Sequence, residues 1–556
     1  MPRSSSPSQE LAPRKSAEVG TAATAPAAAR TTSLQWAAAG SLLILHLAAV
    51  WATRIPGLTT RNDDAAYVLL ARSLRSLSGY RDLYQPGAPP HVQYPPGYPA
   101  ILAAVSFFTG ESVHVYLLVG ALLSMLGLLL WFDIARRLWS PAIGLALLAA
   151  VVLNPSLVRY GGTIMAEPAL LFWSSVGIWA LALHPESRRW AVIGAVAVLL
   201  AALTRSAGVT LIGAVGAEWL LRRRYRALAA FSLASLASVG SWLAWTLVAA
   251  PAVAGRSYVA DATRLIEERY GWWTPVVRIL RTGYSLPTSN IPSILSVPTI
   301  EGTRLDNIFW LVFIVVLGGA GLWACWKRCR LLSLYAMAVI GLMLVWRWTL
   351  TRFLNPLVPL IVLILLAGAL QLGQWTRPVL GRALILVLVA SLLLSGMASV
   401  ASVRRLYRAC DRAHASTSPG CFNPDQLSYF AAARYARDSL PRGSVFLAAK
   451  EATFAYYSGQ QVVYPSLNLR DENSFRVGLQ QRGVQYVVLG RTSSGERAWL
   501  SRRLLDFCRD FSLQARFPPR SLMLRLLPEA DSTASAAACA AVAAYRADTT
   551  ELLPVR

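Results

Sequence analysis

Two adjacent carboxylates, Asp63 and Asp64, stand just past an apolar run at 34–52, in the stretch Arg61-Asn62-Asp63-Asp64-Ala65-Ala66-Tyr67. An ionisable group beside a hydrocarbon layer is costly to keep there, so it is a candidate for chemistry. A carboxylate in such a place can take a proton from an attacking hydroxyl. The same residues also suit a helix start, because Asn62 is a good N-cap and acids in a first turn complement the helix dipole. Glu167, in Met165-Ala166-Glu167-Pro168, opens a later apolar run and admits the same two readings.

Four arginines supply the opposite charge. Arg159, Arg205, Arg347 and Arg352 lie at ends of apolar runs where few other cations occur. A guanidinium matches phosphate geometry with two parallel hydrogen bonds, so an anionic head group would offset the cost of these positions. Snorkelling to bulk lipid phosphate is the plainer alternative. Tyr67 and Tyr94 stand near the acidic pair in sequence, the latter in Tyr94-Pro95-Pro96-Gly97-Tyr98-Pro99. Those prolines force an extended entry into a helix over 98–109, too short to cross a bilayer and therefore interfacial or re-entrant.

Other chemistries lack their residues. The chain has no G-x-x-x-x-G-K-[ST] phosphate loop, no H-E-x-x-H and no nucleophile elbow. Its five histidines include none at ligand spacing, and an adjacent acidic pair is not a D-x-D. No metal and no cofactor are expected.

The elements that must hold these groups are set by composition. Of 556 residues, 55% are hydrophobic and only 15% charged, and mean hydropathy is +0.45. A soluble protein carries about 25% charge, so the chain reads as an α-helical polytopic membrane protein. Apolar runs at 34–52, 113–131, 141–158, 166–183, 189–204, 208–221, 227–250, 306–324, 331–346, 354–375 and 383–402 give about eleven transmembrane helices. The net charge of +25 does not indicate nucleic acid. Nearly all the cations are arginine, clustered at span ends, and alternating the spans from a cytoplasmic N-terminus puts every strongly basic short loop on one side.

The resulting organisation has a disordered cytoplasmic tail at 1–33, a membrane domain over 34–402, and outer loops at 53–112 and 251–305. The last of these loops holds Tyr258, Tyr270, Trp272, Trp273 and Tyr284, suited to the membrane interface or to sugar stacking. Residues 403–556 change character. Short β-rich runs at 444–448, 461–464, 484–489 and 521–526 alternate with helix-period segments, which predicts an extracytoplasmic α/β domain. In an oxidising compartment Cys410 and Cys421 are a plausible pair; the partnership of Cys508 and Cys539 stays open.

At these residues the chain resembles the GT-C superfamily of polytopic glycosyltransferases, in the glycosyltransferase family 39-like branch that holds protein O-mannosyltransferases and lipid A aminoarabinose transferases. The motifs are Asp63-Asp64 followed by Tyr67, the Tyr94 to Pro99 element, Met165-Ala166-Glu167, Thr204-Arg205-Ser206-Ala207-Gly208, and Arg352-Phe353-Leu354-Asn355-Pro356-Leu357-Val358-Pro359. Tyr456-Tyr457-Ser458-Gly459 and 483–489 are similar to that branch's extracytoplasmic domain. Many relatives have Asp-Glu where this chain has Asp63-Asp64, which leaves the choice of base between the two.

The resemblance implies a sugar donor on a polyprenyl phosphate and a cell-envelope glycan, lipid or protein acceptor, with transfer by inversion in the plasma (inner) membrane. Asp63 would be the base and Asp64 the second candidate. Arg205, Arg352, Arg159 and Arg347 would steady the departing phosphate, with Glu167, Tyr67 and Tyr94 around the substrates. A transporter or lipid flippase without transfer chemistry, and a receptor or assembly scaffold, are the rival readings. A transporter should show paired halves with interrupted helices, and no convincing halves occur.

Overall fold

The computed structural model describes residues 32–55, 57–249, 273–297, 303–346, 351–465, 475–493 and 496–548. Residues 1–31 of the expected tail at 1–33, Arg347, and Tyr258, Tyr270 and Trp272 of the second loop lie outside the described residues, while Thr32 and Ser33 cap and begin the first helix.

Among the described residues, every apolar run read as a span is helical over most of its length. In order they begin with α1 (Ser33–Thr53), then, after two loop helices α2 (Asp63–Arg75) and α3 (Gly97–Thr109), continue with α4 (Val113–Leu138), α5 (Pro141–Val151), α6 (Pro155–Gly161), α7 (Glu167–Leu183), α8 (Arg188–Thr204) and α9 (Val209–Leu221). The later ones are Tyr225–Ala249, Arg304–Arg328, Arg330–Val345, Thr351–Trp375 and Pro378–Leu406. Among the described residues six are long and apolar enough to cross a bilayer.

The run at 141–158 is not one straight span. It bends by 71° between α5 and α6. Pro155 has no N–H to continue α5, and the Asn154 side chain instead caps the next helix by accepting from Ser156 N and Leu157 N at 3.1 Å each. If the bent pair counts as one span, the long apolar helices number seven.

Small residues set how closely the helices approach. Gly321 on Arg304–Arg328 faces Gly368 on Val358–Trp375, and a Cβ on either would run into a backbone carbonyl, of Ile364 or of Leu317. In lipid there is no water to squeeze out, so such close backbone packing contributes much of the helix–helix attraction.

After residue 406 the chain builds a five-stranded sheet of β1 (Val445–Ala448), β2 (Gln461–Val463), β3 (Tyr486–Leu489), β4 (Phe511–Phe517) and β5 (Ser521–Leu526). The order is β2-β1-β3-β5-β4, with β1 parallel to both β2 and β3, and β5 antiparallel to both β3 and β4. The sequence reading missed β4, although its residues Phe511–Phe517 alternate apolar and polar side chains throughout, the pattern of a half-buried strand. Cys410–Cys421 and Cys508–Cys539 are both disulfides.

This α/β unit does not stand apart from the rest. One hydrophobic cluster joins Leu58, Tyr67 and Leu70 of the first loop to Phe422, Phe430 and Phe454 beyond residue 403. The loop that carries the acidic pair is therefore clamped between the helical bundle and the sheet.

Candidate functional site

The acidic pair begins α2, with Asp63 and Asp64 in its first turn, where acids offset the helix dipole. Asn62 occupies the N-cap position, but its side chain does not cap α2. It has φ 78 and turns the other way. There it caps the helix Glu451–Ser458: its Oδ1 accepts from Ala452 N at 2.9 Å and Thr453 N at 3.2 Å, and its Nδ2 donates to Glu451 Oε1 at 3.1 Å. Two further bonds secure the same loop, from Thr453 Oγ1 to the Thr59 carbonyl at 2.9 Å and from Tyr457 OH to the Leu58 carbonyl at 2.9 Å. The backbone just ahead of Asp63 is thus fixed by the C-terminal unit.

The two acids point into different surroundings. Asp64 is 3% exposed. Its Oδ2 accepts from Thr59 N at 2.7 Å and Thr59 Oγ1 at 2.9 Å, and its Oδ1 accepts from Ala65 N at 2.9 Å. Burial pushes its carboxyl up to about 6 against the pull of those donors, and the neighbouring Asp63 adds to the rise. Asp63 faces the opposite way. Its Oδ2 accepts from Arg352 Nη1 at 2.9 Å and its Oδ1 from Tyr94 OH at 2.7 Å. Burial alone would raise its carboxyl; the Arg352 charge, the Tyr94 bond and the more distant Arg205 overcome that and hold it below the ordinary carboxylate range. Neighbouring side chains of one type are pushed apart by environment, which keeps Asp63 ionised.

The cations reach this point by breaks in their helices. Arg205 follows the last residue of α8 in an extended conformation, before a short turn at Ser206–Gly208. Arg352 sits in a 3₁₀ turn, Thr351–Leu357, where Pro356 prevents a regular α-helix from starting earlier. Arg205 forms a buried ion pair with Glu167, which is fully enclosed at the start of α7. The Phe353 ring lies against both guanidinium groups, 5.0 Å from Arg205 and 5.7 Å from Arg352. Gly97 matters to this arrangement: a Cβ there would sit 2.7 Å from the Leu203 carbonyl, so only glycine lets the start of α3 press against the end of α8 beside Arg205.

Tyr94 is held from behind. Its backbone N–H donates to His91 Nε2 at 2.8 Å, His91 Nδ1 bonds Asp82 Oδ1 at 2.8 Å, and Tyr80 OH donates to the Tyr94 carbonyl at 2.8 Å. The Tyr67 ring packs 4.9 Å from that of Tyr94. The Asp82–His91 pair went unread in the sequence, since the two lie nine positions apart; the Arg81↔Pro90 bridge brings them together.

Two cavities meet at this wall. One, with about 1040 Å³ of open space, is apolar except at one end: Tyr335, Leu342, Met343 and Trp346 line its length, with Tyr67, Tyr94, Arg205 and Arg352 at its head. An apolar groove over Arg304–Arg328 shares Val339, Met343 and Leu357 with it. The other, of about 600 Å³, is polar and lies between the first loop and the α/β unit; Asp63 and Tyr94 line it from one side. Of the residues singled out in the sequence, Asp63, Tyr67, Tyr94, Arg205 and Arg352 converge here, with Glu167 one contact behind. Asp64 lines neither cavity, and Arg159 lies exposed on α6 and lines neither. Gln93, Lys450 and Trp499 line the polar cavity and were not anticipated as site residues. Among the described residues no group of three or more His, Cys, Asp or Glu is placed to hold a metal ion.

The whole fold matches solved structures. ArnT from Cupriavidus metallidurans in the apo state superimposes with TM-score 0.55 at 14% identity, covering 89% of this chain and 98% of that one. The same protein bound to undecaprenyl phosphate gives TM-score 0.54 at 14% identity, over 90% and 99%. The archaeal oligosaccharyltransferase AglB from Archaeoglobus fulgidus, in complex with an inhibitory peptide and a dolichol-phosphate, gives 0.50 at 12% identity, over 91% and 78%. No protein-family model matches the sequence, and no curated protein matches it. The architecture shared with these structures is the GT-C fold of polytopic membrane proteins.

Proposed function

We propose that this GT-C-fold chain is a membrane glycosyltransferase that moves a sugar from a polyprenyl-phosphate donor to an acceptor hydroxyl with inversion. The observation that carries the reading is the position of the Asp63 carboxylate, on the wall between an apolar cavity headed by two guanidinium groups and a polar cavity open to the α/β unit.

The apolar cavity suits a prenyl chain, and Arg205 and Arg352 suit its phosphate. The acceptor O–H gives its proton to Asp63 as its oxygen bonds to the anomeric carbon. The bond from that carbon to the phosphate oxygen breaks, and its electron pair goes to the phosphate. The transition state has oxocarbenium character, as in other glycosyl transfers. Charge grows on the leaving phosphate, and pre-placed cations stabilise it without reorganising at the moment of reaction. In the unliganded site Arg352 serves Asp63; an arriving phosphate competes for it, which raises the basicity of Asp63 as the donor binds. Glu167 keeps Arg205 in place, Tyr94 orients Asp63, and Asp64 braces the loop through Thr59.

The sheet unit and the first loop lie on the extracytoplasmic side of the plasma membrane in this reading, with the N-terminus in the cytoplasm. Basic clusters such as Arg136/Arg137 and Lys327/Arg328 at the opposite helix ends support it, as do two disulfides in the C-terminal unit. Purified protein incubated with radiolabelled polyprenyl-phosphate sugars and extracted envelope glycans should form a labelled product. Movement of donor lipid across a vesicle bilayer with no product formed would favour the transporter reading instead.

A further inference from the structure

The polar cavity has chemistry of its own. Asp63, Tyr94, Arg61 and Gln93 form one wall, and Lys450 and Trp499 belong to the other. Two polar groups that line it are already committed. The Asn62 amide caps the helix Glu451–Ser458, and the Glu496 carboxylate accepts from Gly490 N at 3.1 Å, Thr492 N and Oγ1 at 2.7 Å each, and Ser493 N at 2.9 Å. Among the described residues the side chains of Arg61, Gln93 and Lys450 make no hydrogen bond or ion pair; Arg61 only lies 5.8 Å from the Tyr160 ring. Lys450 is one of just three lysines in a chain of 53 basic residues.

Three donor-bearing side chains with no hydrogen bond or ion pair of their own thus surround an ionised carboxylate, beside an indole. Hydroxyls and ring oxygens of a sugar satisfy such donors, and the C–H face of a sugar ring packs on an aromatic surface. A lipid acceptor would meet few apolar groups here, whereas the other cavity is mostly apolar. An extended polypeptide would need a run of backbone partners such as an exposed strand edge; of the two edge strands, only β2 ends beside the cavity, and its Val462 N–H already donates to the Tyr84 carbonyl at 2.8 Å.

We infer that this cavity is the acceptor subsite and that it takes a hydrophilic carbohydrate chain, held by Arg61, Gln93, Lys450 and Trp499 with one hydroxyl at Asp63. The inference rests on the transfer reading for its role, but the binding of a glycan can be measured without it.

The test uses the full-length protein in nanodiscs and three acceptor preparations from the same envelope: delipidated oligosaccharide, intact lipid-linked glycan and polypeptide. Delipidated oligosaccharide should titrate into the wild-type protein and accept labelled sugar. Lys450→Gln and Gln93→Ala should each weaken its binding and raise its KM by about tenfold, the equivalent of one good contact, with binding of radiolabelled undecaprenyl phosphate and the melting temperature unchanged. Trp499→Ala should have the same effect on the glycan with a lower melting temperature, because the indole also packs on the core of the α/β unit. Comparable use of the delipidated and lipid-linked glycans means that the sugar alone is recognised, which supports the inference. Use of the lipid-linked glycan alone, use of polypeptide alone, or unchanged glycan affinity in all three variants overturns it. Glycan binding lost in the variants but with no transfer by the wild type upholds the subsite and refutes the transfer reading.

Discussion

Asp63 and Arg352, 289 residues apart in sequence, meet with Arg352 Nη1 2.9 Å from Asp63 Oδ2. The pair joins the first loop to the turn that precedes the helix Val358–Trp375, and it places a carboxylate of the polar cavity next to a cation at the head of the apolar one, which can move to a phosphate. Four expectations follow from it and its supports.

Replacing Asp63 with Asn keeps the shape and the Tyr94 contact but removes the proton acceptor. General-base catalysis contributes about 10²–10⁴-fold, so transfer should fall by at least about 10²-fold with undecaprenyl phosphate binding retained. Initial rates with labelled donor, alongside a lipid-binding assay, measure both. Transfer at the wild-type rate would remove Asp63 from the role of base.

Arg352 sets the pH range of that base. Its charge is the chief cause of the low Asp63 carboxyl, so the wild type should keep Asp63 ionised well into mildly acidic solution. Arg352→Gln removes the charge and raises the carboxyl. The acid limb of the kcat/KM profile should then move to higher pH, and the maximal rate should fall because the leaving phosphate loses a donor. A lower plateau with no movement of the limb would separate Arg352 from Asp63.

Asp64 should behave as a stability group. Its carboxyl is raised to about 6 in the folded chain, against about 3.9 in an unfolded one. The folded state therefore holds this proton more tightly, and stability is lost as pH rises from about 4 to 6, by roughly 3 kcal/mol if nothing compensates. Asp64→Asn should flatten that part of the Tm-against-pH curve and still support transfer. A variant that melts normally but is inactive at every pH would make Asp64 a participant in the reaction.

Asn62→Ala should uncouple the α/β unit from the acidic loop. The helix Glu451–Ser458 loses its cap, about 0.5–2 kcal/mol, and the enclosed Glu451 loses a donor. A lower Tm with a larger fall in kcat than in donor affinity is the expected result, measured by thermal melts and initial rates. An unchanged kcat would show that Asp63 keeps its place without this anchor.

How much of this was legible beforehand depended on the range of the interactions. The helices follow from local hydropathy: 55% hydrophobic residues arranged in long runs leave few alternatives in lipid. The stretches Thr204–Gly208 and Arg352–Pro359 stood out by their resemblance to family motifs; the helix breaks there follow because Gly and Pro act on their own backbone. The bend at Asn154-Pro155 carried the same local signal and was passed over because the flanking residues are uniformly apolar.

The sequence by itself determined that the chain is a bundle of membrane helices with an α/β unit at its end, and that carboxylates and arginines accumulate at helix ends. Periodicity, composition and backbone chemistry act over a few residues and need no knowledge of the rest of the chain. Only the tertiary structure decided which acid faces the polar cavity, that Arg205 and Arg352 join Asp63 while Arg159 stays outside, and that Asn62 caps a helix 389 residues further on. Neighbours one residue apart on a helix point about 100° apart. Asp63 and Asp64 are alike in sequence and separated only by which side of the loop the C-terminal unit covers.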